Sequence, residues 1–256
     1  MISPASVFWF FVIVLGYALK SLFLQFFFYY RRRDDVATWK TQPGDLSGVG
    51  KVFGVPALSM KPGRRPYHRI FTSVNLFMAG LFAAGTSELC IRGHCRMRDL
   101  SLSSLTTEGL LKVFGMLLVC IFYEVVAEYY WHRAMHSRYC YAHFHRFHHA
   151  YRAPSVFDDM YIHPLEAFGY YCLLYAPPFL FPIRLPSFLL YMAIMGVCGV
   201  LDHSGINLRV PYLYHTADHD LHHERVHVNY GFPVMWMDHF HGTYLSPAAA
   251  MRRKSG

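Results

Sequence analysis

The chain has 256 residues, which is enough for one domain with a substantial core. Hydrophobic residues make up 54% of it and charged residues only 16%, against roughly 25% charged in ordinary soluble domains. This is not the composition of a soluble domain, and it predicts a membrane protein. The net charge is +8, but no nucleic-acid recognition motif accompanies it. We therefore assign the basic residues to the membrane surface rather than to nucleic acid.

Three apolar segments in the first half of the chain have about the length that a bilayer-spanning helix needs. They cover residues 5–30, 70–90 and 109–131. The first is followed at once by Arg31, Arg32 and Arg33, which the positive-inside rule places in the cytosol. Lys20 interrupts this segment, and we expect it to snorkel to the membrane surface or to lie beyond a slightly shorter span.

Two polar segments connect these spans. Residues 36–69, rich in Gly and Pro, are predicted to form a cytosolic loop, and residues 91–108 would then face the lumen. The later segment 167–201 contains two further apolar runs of only about fifteen residues each. These runs favour a tight hairpin or a partly re-entrant pair, which returns the chain to the side that it entered from.

The expected fold is therefore an all-α integral membrane protein with about four to five transmembrane helices and a cytosolic, histidine-rich helical cap. We divide the chain into an N-terminal part, a catalytic domain and a tail. The N-terminal part, residues 1–108, contains the membrane anchor, the loop and the second span. The catalytic domain covers residues 109–247, and a basic C-terminal tail covers residues 248–256.

Most of the histidines lie between residues 132 and 241, and three groups of them have helical spacing. The groups are HRAMH (132–136), HRFHH (145–149) and HDLHH (219–223). Spacings of three and four place side chains on one face of a helix, so each group can present its imidazoles together. With the isolated His203 the candidates exceed what one four-coordinate metal can bind, which predicts two metal ions. The candidate ligands are His132, His136, His145, His148, His149, His203, His219, His222 and His223.

Carboxylates close to these histidines are expected to accept the second ring N–H and fix the tautomer. Glu128 lies one helical turn before His132 and receives this role. Asp202 and Asp218, which directly precede candidate ligands, receive the same role. Among the histidines outside the repeated spacing, His227 is the candidate for a further ligand.

Zinc, copper, iron and nickel all accept imidazole ligands, so the donor set alone leaves the metal open. Zinc brings no redox chemistry, and its structural sites close with four ligands. A nitrogen-rich pair of redox metals beside a membrane indicates oxygen activation, and on that ground we favour iron.

Further motifs accompany the histidine groups: EYYWHR before the first, HHAYRAP after the second, HPLE at 163–166 and NYG…D…HGT at 229–243. In this order they resemble the fatty acid hydroxylase/sterol desaturase superfamily over residues 124–244. WKTQP at 39–43 also resembles a segment of the sterol 4-methyl oxidase branch. The resemblance implies an endoplasmic reticulum membrane enzyme with a non-haem di-iron centre facing the cytosol. It further implies O2 as oxidant and electrons from NAD(P)H, relayed by a separate cytochrome b5 or reductase.

Position by position, the resemblance assigns the metal to the same nine histidines, with His203 matched through the DHSGIN segment. Four residues later, where some members of the superfamily have a second histidine, this chain has Asn207. Asn207, His227 or water is therefore left to complete the coordination. His163 in HPLE is interpreted as a supporting residue or as part of the wall of a substrate channel.

The expected function is hydroxylation, oxidation or desaturation of a lipid, with a sterol ahead of a sphingoid base or a fatty acyl chain. A catalytically inactive lipid-binding relative would be expected to lose histidines, whereas all three groups are intact. A metal transporter would need ionisable ligands near mid-membrane, whereas these histidines follow the ends of spans. Five aromatic residues either line a lipid tunnel or only pack against their neighbours: Phe168, Tyr170, Tyr171, Tyr175 and Phe179.

Overall fold

The computed structural model describes residues 2–46, 49–50, 67–97 and 106–252. The predicted loop 36–69 and the predicted luminal segment 91–108 lie partly outside these residues, as do the last four residues of the predicted tail. Within the described residues nearly all regular structure is helical, which confirms the all-α prediction. The predicted domain division at residues 108 and 247 stays a prediction.

Four of the described helices are long and apolar enough to cross a membrane. They are α1 (Pro4–Leu24), α3 (His68–Ile91), α4 (Thr107–Met135) and α8 (Leu185–Asp202). A π-helical turn, Gln25–Arg31, extends α1 to the arginines. The segment 167–201 yields only one such helix, α8, because α6 (Pro164–Leu174) and α7 (Pro177–Leu180) are too short to span. The chain is thus a membrane protein with four candidate spans among its described residues.

Two of the long helices begin at side-chain caps. The Ser3 hydroxyl accepts a hydrogen bond from the Ser6 amide at 3.2 Å, and the Thr106 hydroxyl accepts one from the Gly109 amide at 3.1 Å. Each cap satisfies a backbone donor that the first turn of the helix leaves free. Pro4, at the first position of α1, needs no such partner.

The long helices expose apolar side chains on their outer faces. Leu19, Leu111 and Phe122 are each at least 65% exposed. In water such faces would be unfavourable, whereas lipid tails are as apolar as these side chains. The buried core lies inside the bundle, between α3, α4, α6 and α8.

The remaining elements are short, and most lie where α1, α4 and α8 end and α3 begins; we call this region the cap. The helices among them are α2 (Val36–Trp39), α5 (Arg138–His143), α9 (Thr216–Arg225), α10 (Trp236–His241), α11 (Pro247–Arg252) and the 3-10 helices Arg33–Asp35 and His145–Ala150. Strands β1 (Arg209–Val210) and β2 (Tyr214–His215) pair antiparallel, with Arg209 opposite His215. The predicted tail therefore begins as the helix α11.

The segment after α2 ties the first span to the cap. The Trp39 carbonyl accepts from the Asn207 amide at 2.6 Å, and the Thr41 amide donates to the Gly205 carbonyl at 3.0 Å. From the end of α1, the Tyr29 hydroxyl donates to the Ser204 carbonyl at 2.6 Å. These bonds fix the chain directly after His203, so the N-terminal part helps to position that histidine.

The packing of α6 on α4 depends on Gly169, which faces the Trp131 ring. A Cβ atom at Gly169 would lie 2.3 Å from the ring atom Cη2 of Trp131. Gly169→Ala must therefore move one of the two helices, and we expect it to destabilise the fold by about 1–3 kcal/mol. The measurement is the thermal unfolding midpoint of the detergent-solubilised protein, which we expect to fall.

The matched control is Gly115→Ala in α4, since a Cβ atom at Gly115 meets nothing within 4 Å. We expect it to leave the midpoint unchanged or to raise it slightly, because alanine favours helix. Equal midpoints for the two variants would contradict this account of the packing.

Candidate metal centre

All nine predicted histidines meet in the cap, where they form two separate groups. In each group the possible ligand atoms lie within 4.8 Å of one another. All members are buried except His136, which is half-buried. Cluster A consists of His132, His136, His145, His149 and His222, and cluster B of His148, His203, His219 and His223.

Four segments deliver these side chains. The last turn of α4 carries His132, and His136 caps that helix. The 3-10 helix His145–Ala150 carries the second motif, His203 caps α8, and α9 carries the third motif. His132 and His136 lie at the end of the apolar helix α4, and His203 lies at the end of the apolar helix α8. The clusters therefore lie at one end of the bundle.

The second and third motifs are each divided between the two clusters. In α9, His219 and His223 belong to cluster B, whereas His222 belongs to cluster A. Residues four apart on an α-helix differ in direction by about 40°, whereas residues three apart diverge by about 60° the other way. One helix therefore presents side chains to both clusters, and the two clusters are neighbours.

The inner histidines are held through their Nδ1 atoms. Each of these donates to a backbone carbonyl or a carboxylate, which fixes the tautomer and leaves Nε2 without a proton. The donors and acceptors are His132 to the Tyr230 carbonyl (2.8 Å), His222 to the Val228 carbonyl (2.6 Å), His223 to the Tyr151 carbonyl (3.1 Å), His203 to the Gly199 carbonyl (2.9 Å) and His145 to Glu166 Oε1 (2.5 Å).

The Nε2 atoms face one another at short range. In cluster A, His145 Nε2 lies 3.0 Å from His136 Nε2 and 3.1 Å from His149 Nε2. In cluster B, His203 Nε2 lies 2.9 Å from His219 Nε2. Two nitrogens bound at right angles to one cation, each about 2.1 Å from it, are about 3.0 Å apart. The spacing of the ring nitrogens thus fits ligands that share a metal ion.

Two of the Nε2 atoms lack any partner. His132 Nε2 and His223 Nε2 are buried and have no hydrogen-bond partner among the described residues. A buried polar atom without a partner costs free energy, and a metal ion would supply the missing interaction. One such atom occurs in each cluster.

Burial keeps most of these imidazoles neutral. It is the main cause that lowers the pKa of His148, His219 and His223 well below the ordinary 6.5, and repulsion between neighbouring imidazoles adds to it. For His136 the same causes lower the pKa to about 2. For His203 the neighbouring Asp159 carboxylate outweighs burial and raises the pKa. Because metals bind the neutral ring, the lowered pKa values favour coordination by the other rings at physiological pH, and a metal ion must displace any proton from His203.

The three carboxylates predicted to support the histidines have other surroundings. The Nδ1 atom of His132 is taken by a carbonyl, and Glu128 Oε2 is buried without a partner among the described residues. Asp202 accepts from the Tyr214 hydroxyl at 2.5 Å, and Asp218 accepts from the Tyr244 hydroxyl at 3.3 Å. Nearness in sequence did not give these carboxylates a histidine N–H: backbone carbonyls accept from His132 and His203, and His219 Nδ1 has no partner among the described residues.

Two carboxylates that the sequence analysis did not select lie beside histidine Nδ1 atoms instead. Glu166 accepts from His145, and Asp159 Oδ1 lies 3.3 Å from His203 Nδ1. Glu166 belongs to the HPLE motif, which was noted for His163 rather than for its acid. Asp159 belongs to an acidic pair at 158–159, between the second motif and α6. This pair is the sequence feature from which Asp159 could have been selected.

The two candidates for an additional ligand lie outside both clusters. His227 is exposed, and its ring centre is 6.3 Å from that of His136. The Asn207 side chain accepts from His215 Nε2 at 3.0 Å and is exposed. Among the described residues, the two clusters thus contain nine imidazoles and neither the His227 nor the Asn207 side chain.

A large apolar cavity lies between α1, α3, α6 and α8. Its volume is about 740 Å³, and Asp159 lines its end nearest cluster B. Five aromatic residues were expected either to line a lipid tunnel or only to pack against their neighbours, and Tyr170, Tyr171 and Tyr175 line the cavity. Phe168 is 53% exposed and packs on Phe82 instead. The volume falls in the range of pockets that bind small molecules.

Comparison with known proteins matches residues 117–243 to the model of the fatty acid hydroxylase family. All nine clustered histidines fall in this range. The chain is 33% identical over 120 residues to a Delta(7)-sterol 5(6)-desaturase of Gibberella zeae, covering 46% of this chain and 34% of the relative. It is 26% identical over 164 residues to human lathosterol oxidase, covering 62% of this chain and 54% of the relative.

A third relative is a methylsterol monooxygenase of Aspergillus fumigatus, 30% identical over 154 residues, covering 55% of this chain and 52% of the relative. The chain thus spans about a third to a half of the length of these curated relatives. No solved structure matches the chain. The chain therefore contains a domain of the fatty acid hydroxylase family, which covers residues 117–243 and carries both histidine clusters.

Proposed function

We propose that this protein is a membrane-bound di-iron oxidoreductase that uses O2 to oxidise a lipid, and that the lipid is a sterol. The observation that carries the proposal is the pair of buried imidazole clusters beside an apolar cavity at one end of a membrane-spanning bundle. The proposed iron ligands are the nine histidines of clusters A and B. The sterol is supported by the names of the three relatives.

Iron suits the donor set and the setting. Imidazole-only sites accept several metals, but oxidation of an apolar lipid needs a redox metal. Bound iron supplies the activation of O2 toward an unactivated C–H bond, and that chemistry belongs to the cofactor. The protein supplies two sets of ligands, and five of the nine rings are already oriented by a backbone carbonyl or a carboxylate.

The chain's own residues contribute positioning and exclusion of water. The Nδ1 hydrogen bonds hold five of the nine rings so that their Nε2 lone pairs point into the clusters. Burial of the rings keeps bulk water away from the reacting groups. The aromatic wall of the cavity holds an apolar lipid within reach of cluster B, since Asp159 belongs to both the wall and the support of His203.

Reduction of O2 also needs electrons, and we propose that a separate protein delivers them. In this proposal the electrons come from NAD(P)H through a cytochrome b5 or a reductase that binds the cap. The proposed location is the endoplasmic reticulum membrane with the cap in the cytosol. Arg31, Arg32 and Arg33 support this orientation, because they lie at the cap end of the first span.

The first prediction concerns one histidine from each cluster. His222→Ala removes a ligand of cluster A and His148→Ala a ligand of cluster B, and we expect each to abolish sterol oxidation and to lower the iron bound per chain. The assay combines purified, iron-loaded protein with a reductase system and measures sterol products and iron content. The control is His143→Ala, since His143 is exposed and outside both clusters. Unaltered turnover in both cluster variants would refute the di-iron assignment.

The second prediction concerns the carboxylate behind cluster A. Glu166→Ala removes the acceptor of the His145 Nδ1 hydrogen bond, and loss of such a support lowers metal affinity roughly 10- to 100-fold. We expect this loss in competition with a chelator. The control is Glu108→Ala, whose carboxylate is exposed and paired with Lys112. Equal metal affinity in the two variants would contradict the supporting role of Glu166.

The third prediction concerns the side of the membrane on which the cap lies. An epitope tag fused after α11 lies on the cap side, and we expect protease added to sealed microsomes to remove it. A tag inserted after α3, at the opposite end, serves as the control and is expected to stay protected until detergent is added. Protection of the tag after α11 would contradict a cytosolic cap.

A further inference from the structure

Lys20 is a charged residue within the first span, and it points into the bundle. It was expected to snorkel to the surface or to lie beyond the span, but its Nζ atom donates to the Gly196 carbonyl of α8 at 2.6 Å. It also lines the apolar cavity. A cation inside a membrane-spanning bundle is costly, so such residues commonly mark a functional path.

Asp159 provides the opposite charge at the same end of the cavity. A Cβ atom at Gly196 would lie 3.1 Å from Lys20 Nζ, and one at Gly199 would lie 3.5 Å from Asp159 Oδ1. Both charged groups therefore lie against one face of α8, one turn apart, where neighbouring positions are about 5–6 Å from each other. Among the described residues they form no direct ion pair, because Asp159 is paired with His203 and Lys20 with a carbonyl.

A third polar group belongs to the same end of the cavity. Tyr17 lies three residues before Lys20 on α1 and also lines the cavity. Its side chain is 6% exposed, and its hydroxyl has no hydrogen-bond partner among the described residues. Such a buried hydroxyl gains most from a ligand that brings its own polar atom.

We infer that Lys20 and Asp159 bind the hydroxyl group of an uncharged lipid alcohol whose apolar body fills the cavity. A hydroxyl both accepts and donates, so it can accept from Lys20 Nζ and donate to the Asp159 carboxylate. A lipid carboxylate can accept from Lys20, but Asp159 repels it. A pure hydrocarbon leaves Lys20, Asp159 and Tyr17 without new partners. The pair therefore selects alcohols over both alternatives.

The cavity also orients this lipid. Its lining on α1 runs from Ala5 to Lys20, which are fifteen helical steps or about 22 Å apart. Lys20 and Asp159 stand at the end nearest cluster B, so the hydroxyl end of the lipid is the end nearest the histidines. This orientation rests on the proposed function, whereas binding of the alcohol does not. Because α1 and α3 lie outside residues 117–243, lipid selectivity would come partly from outside the family domain.

The test measures lipid binding by the full chain, without added iron, in detergent micelles. The probes are cholestanol and cholestane, which differ only in the hydroxyl, together with stearyl alcohol and stearate, which differ in charge. We expect cholestanol to bind at least about tenfold more tightly than cholestane, the size of one hydrogen bond to a charged group. We expect stearyl alcohol to bind more tightly than stearate.

Variants at Lys20 and at the neighbouring Gly196 test whether Lys20 binds the hydroxyl group. Lys20→Met removes the donor at similar size, and we expect it to weaken cholestanol binding about tenfold and to leave cholestane unchanged. Gly196→Ala places a methyl group against Lys20 Nζ and should weaken cholestanol binding while the lysine is kept. The control is Leu15→Met, because Leu15 is 54% exposed and does not line the cavity.

Equal affinity of the unmodified protein for cholestanol and cholestane would overturn the inference, as would unchanged cholestanol binding in both Lys20→Met and Gly196→Ala. Tighter binding of stearate than of stearyl alcohol would overturn the selection of alcohols. Since none of these measurements uses iron or turnover, their failure is distinct from a failure of the di-iron proposal. That proposal fails separately if iron-loaded protein does not oxidise a sterol.

Discussion

The fold brings nine imidazole rings together, and the Nε2 atoms of seven of them lie about 3 Å from the Nε2 atom of a neighbouring ring. Lone pairs in such contact repel, and a buried polar atom without a partner is costly. A cation between the nitrogens turns this repulsion into attraction, which is why the two clusters fit metal ions better than a hydrogen-bonded network. Metal binding would then contribute directly to the stability of the cap.

The rest of the architecture serves this constraint. Apolar helices α4 and α8 end at the clusters, so the rings lie at one end of the membrane-spanning bundle beside a lipid-sized cavity. Carbonyls of the cap segments orient the rings, and bonds from Tyr29 and Trp39 fix the chain after His203. The first span thus contributes both to the support of cluster B and, through Lys20, to the wall of the cavity.

Sequence spacing predicted which histidines cluster and which helices span, because both depend on local periodicity. It did not predict that His222 joins the first motif while His219 joins His203, since that division follows from how α9 is placed between two clusters. The acceptors of the Nδ1 hydrogen bonds are mainly backbone carbonyls, which every residue has and no pattern reveals. Glu166 is likewise identified only by a contact across 21 residues of chain.

The central claim is that clusters A and B each hold one iron ion through imidazole nitrogens. It is tested most directly by Mössbauer spectroscopy of protein purified from cells grown on enriched iron. Because one cluster has five histidines and the other four, the account predicts two distinct iron signals of equal area, both typical of nitrogen and oxygen ligation. A single signal, or signals of sulfur-bound iron, would contradict it.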